Sequence, residues 1–513
     1  MSHLPTINSI NQPKIGDSLF ETVSESRRDE VILFGQMVLG IIELFRKEDT
    51  SIVPFFIPVG IIGLIRLVLF LFRFVCYLLY KPQIPSSKRL NTFSSSDVTI
   101  IVPTIDCGPE FASAAAQWVK NSPAEIIVVT TDACFPQIQA MVYNFDQGSG
   151  LFRVLSVPEA NKRVQLMEGV NASRTAILAF SDDDAIWSDD FIKWMLVPFD
   201  SPKIGGVGSS QAMTPCGDRA TVWEVLADMR LSMRMMEAAS TSRVDGGISC
   251  LSGRTAVYRR EIMADPDLRE KFVSEKWRGK YSLHSGDDKF LTRWLVSHGW
   301  EMSFQKHERA LLLTTFKPNW HFLKQLLRWT RNTWRSDFTS LFIDRKIWRR
   351  YPYVAMNMLD KMLNPITLLI GPVFIIYAMV MHPRWSPYAI GASEVVWLFF
   401  SRYIRLAEHW RRKQWDIVYL PLYIVFNYFF ALMKVYALCT LHITGWATRT
   451  DTSELSDIEM SAVSITIVVD DEHEGPVLCR KITPTTMNKV DLTDKYPVEL
   501  KANPVKVSTA PAA

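Results

Sequence analysis

TAILAFSDDD, residues Thr175 to Asp184, is an apolar run that ends in three carboxylates. Its length suits a buried strand. Comparable runs occur at Val98–Val102, Ile126–Val129, Phe152–Val157 and Ile204–Val207. Helix-compatible stretches, among them Phe111–Lys120 and Arg163–Ala172, lie between them. Strands alternating with helices indicate βαβ units around a largely parallel sheet, here across about residues 97–315. Ligands of such sheets bind beyond the carboxyl ends of the strands, so the polar residues delivered there are the candidates for chemistry.

Asp182 and Asp184 stand two apart in an extended segment and therefore point to the same side. Adjacent carboxylates repel one another unless a cation neutralises them. The pair fits a divalent ion that also bridges a diphosphate; the plainer alternative is a solvated acidic turn capping a helix that starts near Ser188. Other strand ends deliver Asp106, Asp132 and the pair Lys162-Arg163. Cations at a helix start oppose its dipole, which favours holding phosphate over an ordinary surface pair. Gly286-Asp287-Asp288 precedes the helical run Lys289–His298; one carboxylate there is either a helix cap or a general base. In QLLRW, Gln325 to Trp329, residues Gln325, Arg328 and Trp329 share one face of a helix spanning about 322–342. That basic, Trp-rich helix can lie among lipid headgroups. It can equally offer an indole to a sugar ring and a guanidinium to a diphosphate, and the two roles are compatible.

The 513 residues are 48% hydrophobic and only 21% charged, which excludes a disordered or fibrous chain. A net charge of +4 gives no electrostatic case for nucleic acid. Seven dispersed cysteines without a CxxC pair indicate reduced packing residues facing the cytosol. Ile52–Leu79 is nearly unbroken apolar sequence, long enough to span a bilayer, and Val31–Phe45 is a shorter segment of interfacial length. Met362–Met381, Tyr388–Tyr403 and Ile417–Leu441 are three further candidates. Arg402, Arg405, Arg411, Arg412 and Lys413 crowd one connecting loop, which the positive-inside rule puts in the cytosol, with 382–387 outside. Buried helices of a soluble protein are the alternative; several such runs flanking a polar middle favour an integral membrane protein.

In this order Asp106, Asp132, Lys162-Arg163, Asp182-x-Asp184, Gly286-Asp287-Asp288 and Gln325-x-x-Arg328-Trp329 resemble the processive family-2 glycosyltransferases: the hyaluronan, chitin and cellulose synthases. Lys434-x-Tyr436 and Trp446-Ala447-Thr448-Arg449 are similar to elements that close hyaluronan and chitin synthase cores, with Ala447 where Gly is usual. The pattern is most similar to hyaluronan-synthase-like fungal polysaccharide synthases. The resemblance implies an α/β fold: a Rossmann-like GT-A domain with a mostly parallel sheet, flanked by transmembrane and interfacial α-helices. It implies that Asp106 and Asp132 hold the uridine of a UDP-sugar, that Lys162 and Arg163 lie near its ribose and diphosphate, and that Asp182 faces the nucleotide sugar. Asp184 would ligate Mg²⁺ or Mn²⁺, and Asp288, beside Asp287, would be the general base. Arg328 would clamp the diphosphate, Trp329 would be the acceptor platform supported by Gln325, and Ser252-Gly253-Arg254 would belong to an acceptor loop. Trp446, Thr448 and Arg449 would complete the substrate site. Pro103-Thr104-Ile105-Asp106 departs from the commoner Asn-Glu ending of the first strand.

The implied layout is a polar tail (1–30), an N-terminal membrane region (31–80), a cytosolic catalytic domain (97–315), interfacial helices (318–350), a C-terminal membrane region (352–449) and a mostly disordered tail (450–513). The implied partners are a UDP-sugar donor, a growing polysaccharide and the lipid bilayer of the plasma membrane. Three C-terminal spans would put Trp446–Arg449 outside, whereas the family keeps this element in the cytosol. One candidate is therefore expected to be interfacial, or a further helix in 343–360 to insert. The rival expectations are a non-processive glycosyltransferase acting on a lipid, and a transporter or scaffold with a degenerate nucleotide-binding domain.

Overall fold

A computed structural model describes residues 60–85, 92–108, 110–146, 148–381 and 386–444. The expectations for both tails, for Val31–Phe45 and for Trp446, Thr448 and Arg449 lie outside these residues.

Helix α1 (Gly60–Leu78) is the end of the first apolar segment. The α/β body then runs β1 (Val98–Pro103), α2 (Glu110–Lys120), β2 (Glu125–Thr131), α3 (Phe135–Asp146), β3 (Phe152–Val157), α4 (Lys162–Ala172) and β4 (Ile177–Ser181). It continues through β5 (Ile186–Trp187), α5 (Phe191–Leu196), β6 (Ile204–Met213), α6 (Val222–Val244), β7 (Thr255–Arg259), α7 (Arg260–Met263) and α8 (Pro266–Ser274). A small hairpin of β8 (Lys276–Trp277) and β9 (Tyr281–Ser282), then α9 (Asp287–Ser297), β10 (Glu301–Gln305) and β11 (Leu311–Thr314), close the body. The remaining helices are α10 (His321–Phe338), α11 (Lys346–Arg350), α12 (Pro352–Met381), α13 (Pro387–Arg405), α14 (Ala407–Arg412) and α15 (Leu420–Cys439).

The sheet order is β3-β2-β1-β4-β7-β6-β11-β5, with β10 also paired to β6. Strands β3, β2, β1 and β4 are mutually parallel, as the alternating runs require. β7 enters antiparallel between β4 and β6, and β5 is antiparallel to β11, so the sheet is mixed. Period-two alternation sends Ile100, Val102, Ile126 and Val128 to one face, against Phe111 and Trp118 of α2. Ile101, Ile127, Val129 and Phe180 go to the other face, in the core shared with α4, α6 and α9. Both faces are covered, which is why these strands read as unbroken apolar runs. In β6, a Cβ on Gly205 or Gly206 would come within 3 Å of Leu295, so these glycines let α9 close onto the sheet.

By length and composition, Pro352–Tyr377 and Gln414–Cys439 are able to cross a membrane. α12 packs against α13, and both present a largely exposed apolar surface, including Ile370, Val373, Val396 and Phe400. α15 behaves differently. One of its faces lies on the body: Tyr423 Oη donates to Met233 Sδ, Arg230 lies 3.6 Å over the Phe430 ring, and Trp334 Nε1 donates to Lys434 O. Leu422, Val425, Phe429 and Leu432 face outward. The basic loop between α13 and α15 also docks on α6, where Lys413 pairs with Asp228 at 3.0 Å.

Candidate active site

β4 ends at Ser181, and the three carboxylates divide within a turn closed by the Ala185 N–H donating to Asp182 O, not by strand alternation as expected. Asp183 turns inward, is buried, and accepts a 2.6 Å hydrogen bond from Thr104 Oγ1, tying the ends of β4 and β1 together. Asp182 and Asp184 face the other way. Asp184 Oδ2 accepts from Thr315 Oγ1 at 3.1 Å, and the backbone N–H of Asp182 donates to Arg254 O at 2.7 Å. Burial and the charges of Asp182 and Asp183 push the Asp184 carboxyl up to about 6, against the opposing pull of Arg254 and the Thr315 hydroxyl. The acidic turn is thus a structured wall of a cleft, not a solvated helix cap.

Lys162 is the bridge to the second acidic pair. Asn161 caps α4 by accepting from the backbone N–H groups of Arg163 and Val164, which fixes Lys162 as the first helical residue. Its Nζ lies 2.7 Å from Asp182 Oδ1 and 3.3 Å from Asp287 Oδ2, and donates to Gly253 O at 3.2 Å. Burial alone would lower its pKa, but Asp182 and Asp287 outweigh burial and raise it. A cation with both carboxylates in reach joins β4, the 252–254 loop and α9 in one cleft.

Gly286 adopts a left-handed conformation (φ 79°) that a side chain would strain, and it starts α9 at Asp287. Asp288 Oδ2 accepts from Cys250 Sγ at 3.2 Å and from the Gly253 N–H at 3.3 Å, while Oδ1 accepts from the Lys289 N–H at 2.8 Å. Burial pushes its carboxyl up, but Arg234, the Cys250 thiol, Lys289 and Lys162 outweigh burial and hold it below the usual range. Asp287 moves the opposite way: burial, with Asp288 and Asp182, raises it against the pull of Lys162. The two adjacent carboxyls are thereby driven apart, and Asp288 is the one whose ionised form is favoured.

On α10, the Trp329 ring packs edge-on to Phe316 at 6.2 Å. The Arg254 guanidinium lies 5.1 Å from the Trp329 centroid and 4.6 Å from that of Phe316. Its charge is felt by Asp184, Asp182 and Asp288 together, so Arg254 stands between Trp329 and the carboxylates as a shared neighbour. Gln325 and Arg328 are on the same helix face, one turn and one residue before it. Ser252 is buried, and its hydroxyl accepts from the Arg254 N–H. Asp106 and Asp132 are exposed at the ends of the β1 and β2 loops, on the same edge of the sheet.

Arg163 departs from the expectation drawn for it. Its guanidinium is 1% exposed and donates to Phe272 O, Glu275, and Ser285 O, so it braces the loop before Asp287 and does not face a donor. Arg254 was expected only as the third residue of the acceptor loop; its place beside Trp329, 75 positions further on, was not legible because no local periodicity links them. Thr315 and Cys250 were likewise invisible, because each matters only through a carboxylate distant in the chain.

Among the described residues no group of three or more His, Cys, Asp or Glu could hold a metal unaided. Mg²⁺ commonly takes one or two carboxylates and completes its shell with phosphate oxygens and water. Asp184 fits that arrangement: it is a hard oxygen donor whose charge is disfavoured by like neighbours, and a bound cation would relieve that repulsion.

Residues 96–332 match the family described as "Glycosyltransferase like family 2". A type 2 glycosyltransferase of Zymoseptoria tritici is 35% identical over 72% of this chain and 79% of its own length. Another of Pyricularia oryzae is 33% identical over 85% and 89% respectively. Among solved structures, the mannosyltransferase PcManGT from Pyrobaculum calidifontis, in complex with GDP-Man and Mn²⁺, is 14% identical with a TM-score of 0.45, covering 71% of this chain and 97% of that one. The matched segment spans every carboxylate of the cleft together with QLLRW, and the chain belongs to glycosyltransferase family 2, with the GT-A fold.

Proposed function

We propose that this chain is a membrane-embedded, metal-dependent, inverting glycosyltransferase that takes a sugar from a cytosolic UDP-sugar and adds it to a growing polysaccharide. The observation that carries the reading is the single cleft in which Lys162 touches both Asp182 and Asp287, with Asp288 beside them and Trp329 joined to it through Arg254. The uracil and ribose lie toward Asp106 and Asp132 at the β1 and β2 ends. Asp184 would hold Mg²⁺ or Mn²⁺, which would supply positive charge to the diphosphate, and Arg328 adds a guanidinium there. Trp329, fixed by Phe316 and Arg254, offers a flat apolar face to the acceptor sugar. Asp288 removes the acceptor hydroxyl proton as that oxygen bonds to the anomeric carbon from the face opposite the leaving UDP. One bond forms, the sugar–phosphate bond breaks, and the proton passes from Asp288 to solvent.

The docking of the basic 411–413 loop on α6 supports a cytosolic catalytic domain under the positive-inside rule. α15 packs against α10, α12 and α13, so the C-terminal helices form one bundle, in which Pro352–Tyr377 and Gln414–Cys439 are long and apolar enough to cross a membrane. Two such helices among the described residues make a thin wall for a polymer channel, and this observation favours a second reading in which a lipid receives a single sugar. Purified protein incubated with each UDP-sugar, with UDP release and product size measured together, tests both. Release with a polymer ladder supports the synthase, release with one sugar per lipid supports the second reading, and no release with any donor refutes both.

A further inference from the structure

A second cleft of about 230 Å³ shares Ser285, Gly286 and Lys289 with the segment that carries Asp287 and Asp288. Six basic side chains line it against one carboxylate, Glu275. Glu275 is divided between Arg163, at 2.7 Å, and Arg293, while Lys289 is matched by Asp337 at 2.9 Å. Arg335 has no carboxylate within 4 Å among the described residues; it is 4% exposed and donates to Leu441 O, Ile443 O and Asn332 Oδ1. Both Arg163 and Arg335 bury an Nε donor with no hydrogen-bond partner. Buried donors of this kind are costly unless something accepts from them; with Glu275 shared by Arg163 and Arg293, the excess positive charge of the cleft rests on Arg335, Lys276 and Arg278.

The mouth of the cleft has a particular chemistry. The β8–β9 turn carries Lys276, Arg278 and Lys280, all exposed, and is shaped by left-handed Arg278 (φ 53°) and Gly279 (φ 68°). Trp277 packs edge-on to Phe338 at 6.2 Å. Beside it Phe338, Phe342 and Ile343 are 43%, 42% and 62% exposed, on the segment leading toward α12. Cations above an apolar rim, next to helices long and apolar enough to enter a bilayer, match the layered chemistry of a phospholipid.

We propose that this cleft binds the phosphate headgroup of an anionic membrane lipid, whose acyl chains run along Phe338 and Ile343. Arg163, which donates to Ser285 O at 3.1 Å, connects the bound headgroup to the loop that carries Asp287 and Asp288. The proposal rests on the membrane placement argued above, but not on the identity of donor or product.

The full chain reconstituted in phosphatidylcholine vesicles, probed with spin-labelled phosphatidylglycerol or spin-labelled phosphatidylcholine, tests it without reference to sugar transfer. The immobilised fraction in the resonance spectrum should favour phosphatidylglycerol. Each basic side chain at an anionic surface is worth about a five-fold factor, so Lys276→Ala with Arg278→Ala should weaken that preference about 25-fold. Both residues stand outside the catalytic cleft, and UDP release in phosphatidylcholine alone should match the unmodified chain. Equal immobilisation of the two lipids, or a preference unchanged in the double variant, overturns the proposal. Displacement of labelled phosphatidylglycerol by inorganic phosphate as effectively as by unlabelled lipid also overturns it, showing a free-anion site. No immobilised lipid of either kind overturns it together with the membrane placement, whereas failure of UDP release leaves it standing.

Discussion

Replacing Lys162 by Met keeps the length of the side chain and removes its charge, leaving Asp182 and Asp287 without their shared partner. The Lys162, Asp182 and Asp287 side chains are 13%, 29% and 11% exposed, so solvent screens the cluster only in part. At an effective dielectric constant of about 20, contacts of 2.7 and 3.3 Å give roughly 6 and 5 kcal/mol of gross attraction. Most of this is offset by the cost of desolvating the three charges, and deleting one member of such a buried cluster costs about 3–5 kcal/mol. For a domain of this size each kcal/mol moves the unfolding midpoint by about 2–4 °C, so Lys162→Met should lower it by about 10 °C. The lost energy lies in stranded carboxylates, so adding Asp287→Asn should restore more than half of the loss. Intrinsic-fluorescence melting in detergent reads both variants. A single variant melting within about 2 °C of the parent, or a double variant no more stable than the single, would show that Lys162 is not the bridge described.

Three further outcomes follow from the same cleft. Asp184→Asn should raise the half-saturating metal concentration at least about ten-fold, and chelation should stop UDP release until Mg²⁺ or Mn²⁺ is restored; release that persists in chelator would remove the metal from the scheme. Asp288 is held below its ordinary value, so its ionised, proton-accepting form persists as pH falls and is lost only on passing that depressed pKa. At saturating metal, kcat should therefore be flat from about pH 5.5 to 7.5, and an inflection near neutrality unaffected by metal concentration would point to another base. Trp329→Ala should raise the acceptor KM several-fold, the loss of about 1 kcal/mol of ring contact, while leaving the UDP dissociation constant nearly unchanged; a matching loss of UDP affinity would place the indole on the donor instead.

Much of the body was legible because strands covered on both faces announce themselves as apolar runs; β1 to β4 lie within two residues of those runs. Asp182 and Asp184 were expected on one side as alternating residues of an extended segment; they lie in a turn beyond the strand, and that turn is what sends Asp183 to Thr104. β7, β10 and β11 were not legible, being short and placed by long-range pairing with β4 and β6. Nor could the sequence separate Lys162 from Arg163. Neighbours at a helix start point about 100° apart, and only the positions of Glu275 and Asp182 decide which enters the cleft. The apolar length of α15 suggested a span, and Gln414–Cys439 is long and apolar enough for one; what hydropathy alone does not register is that Tyr423, Phe430 and Lys434 also meet partners on α6, α10 and α12.

The most direct measurement is UDP binding by calorimetry beside UDP release by turnover, on Asp288→Asn. The amide keeps the shape of the carboxylate but cannot accept the acceptor's proton. Binding should stay within about three-fold of the parent while turnover falls by about 10²–10⁴. Turnover near the parental rate would contradict the assignment of the base. A parallel collapse of binding would show that Asp288 holds the donor, not the proton.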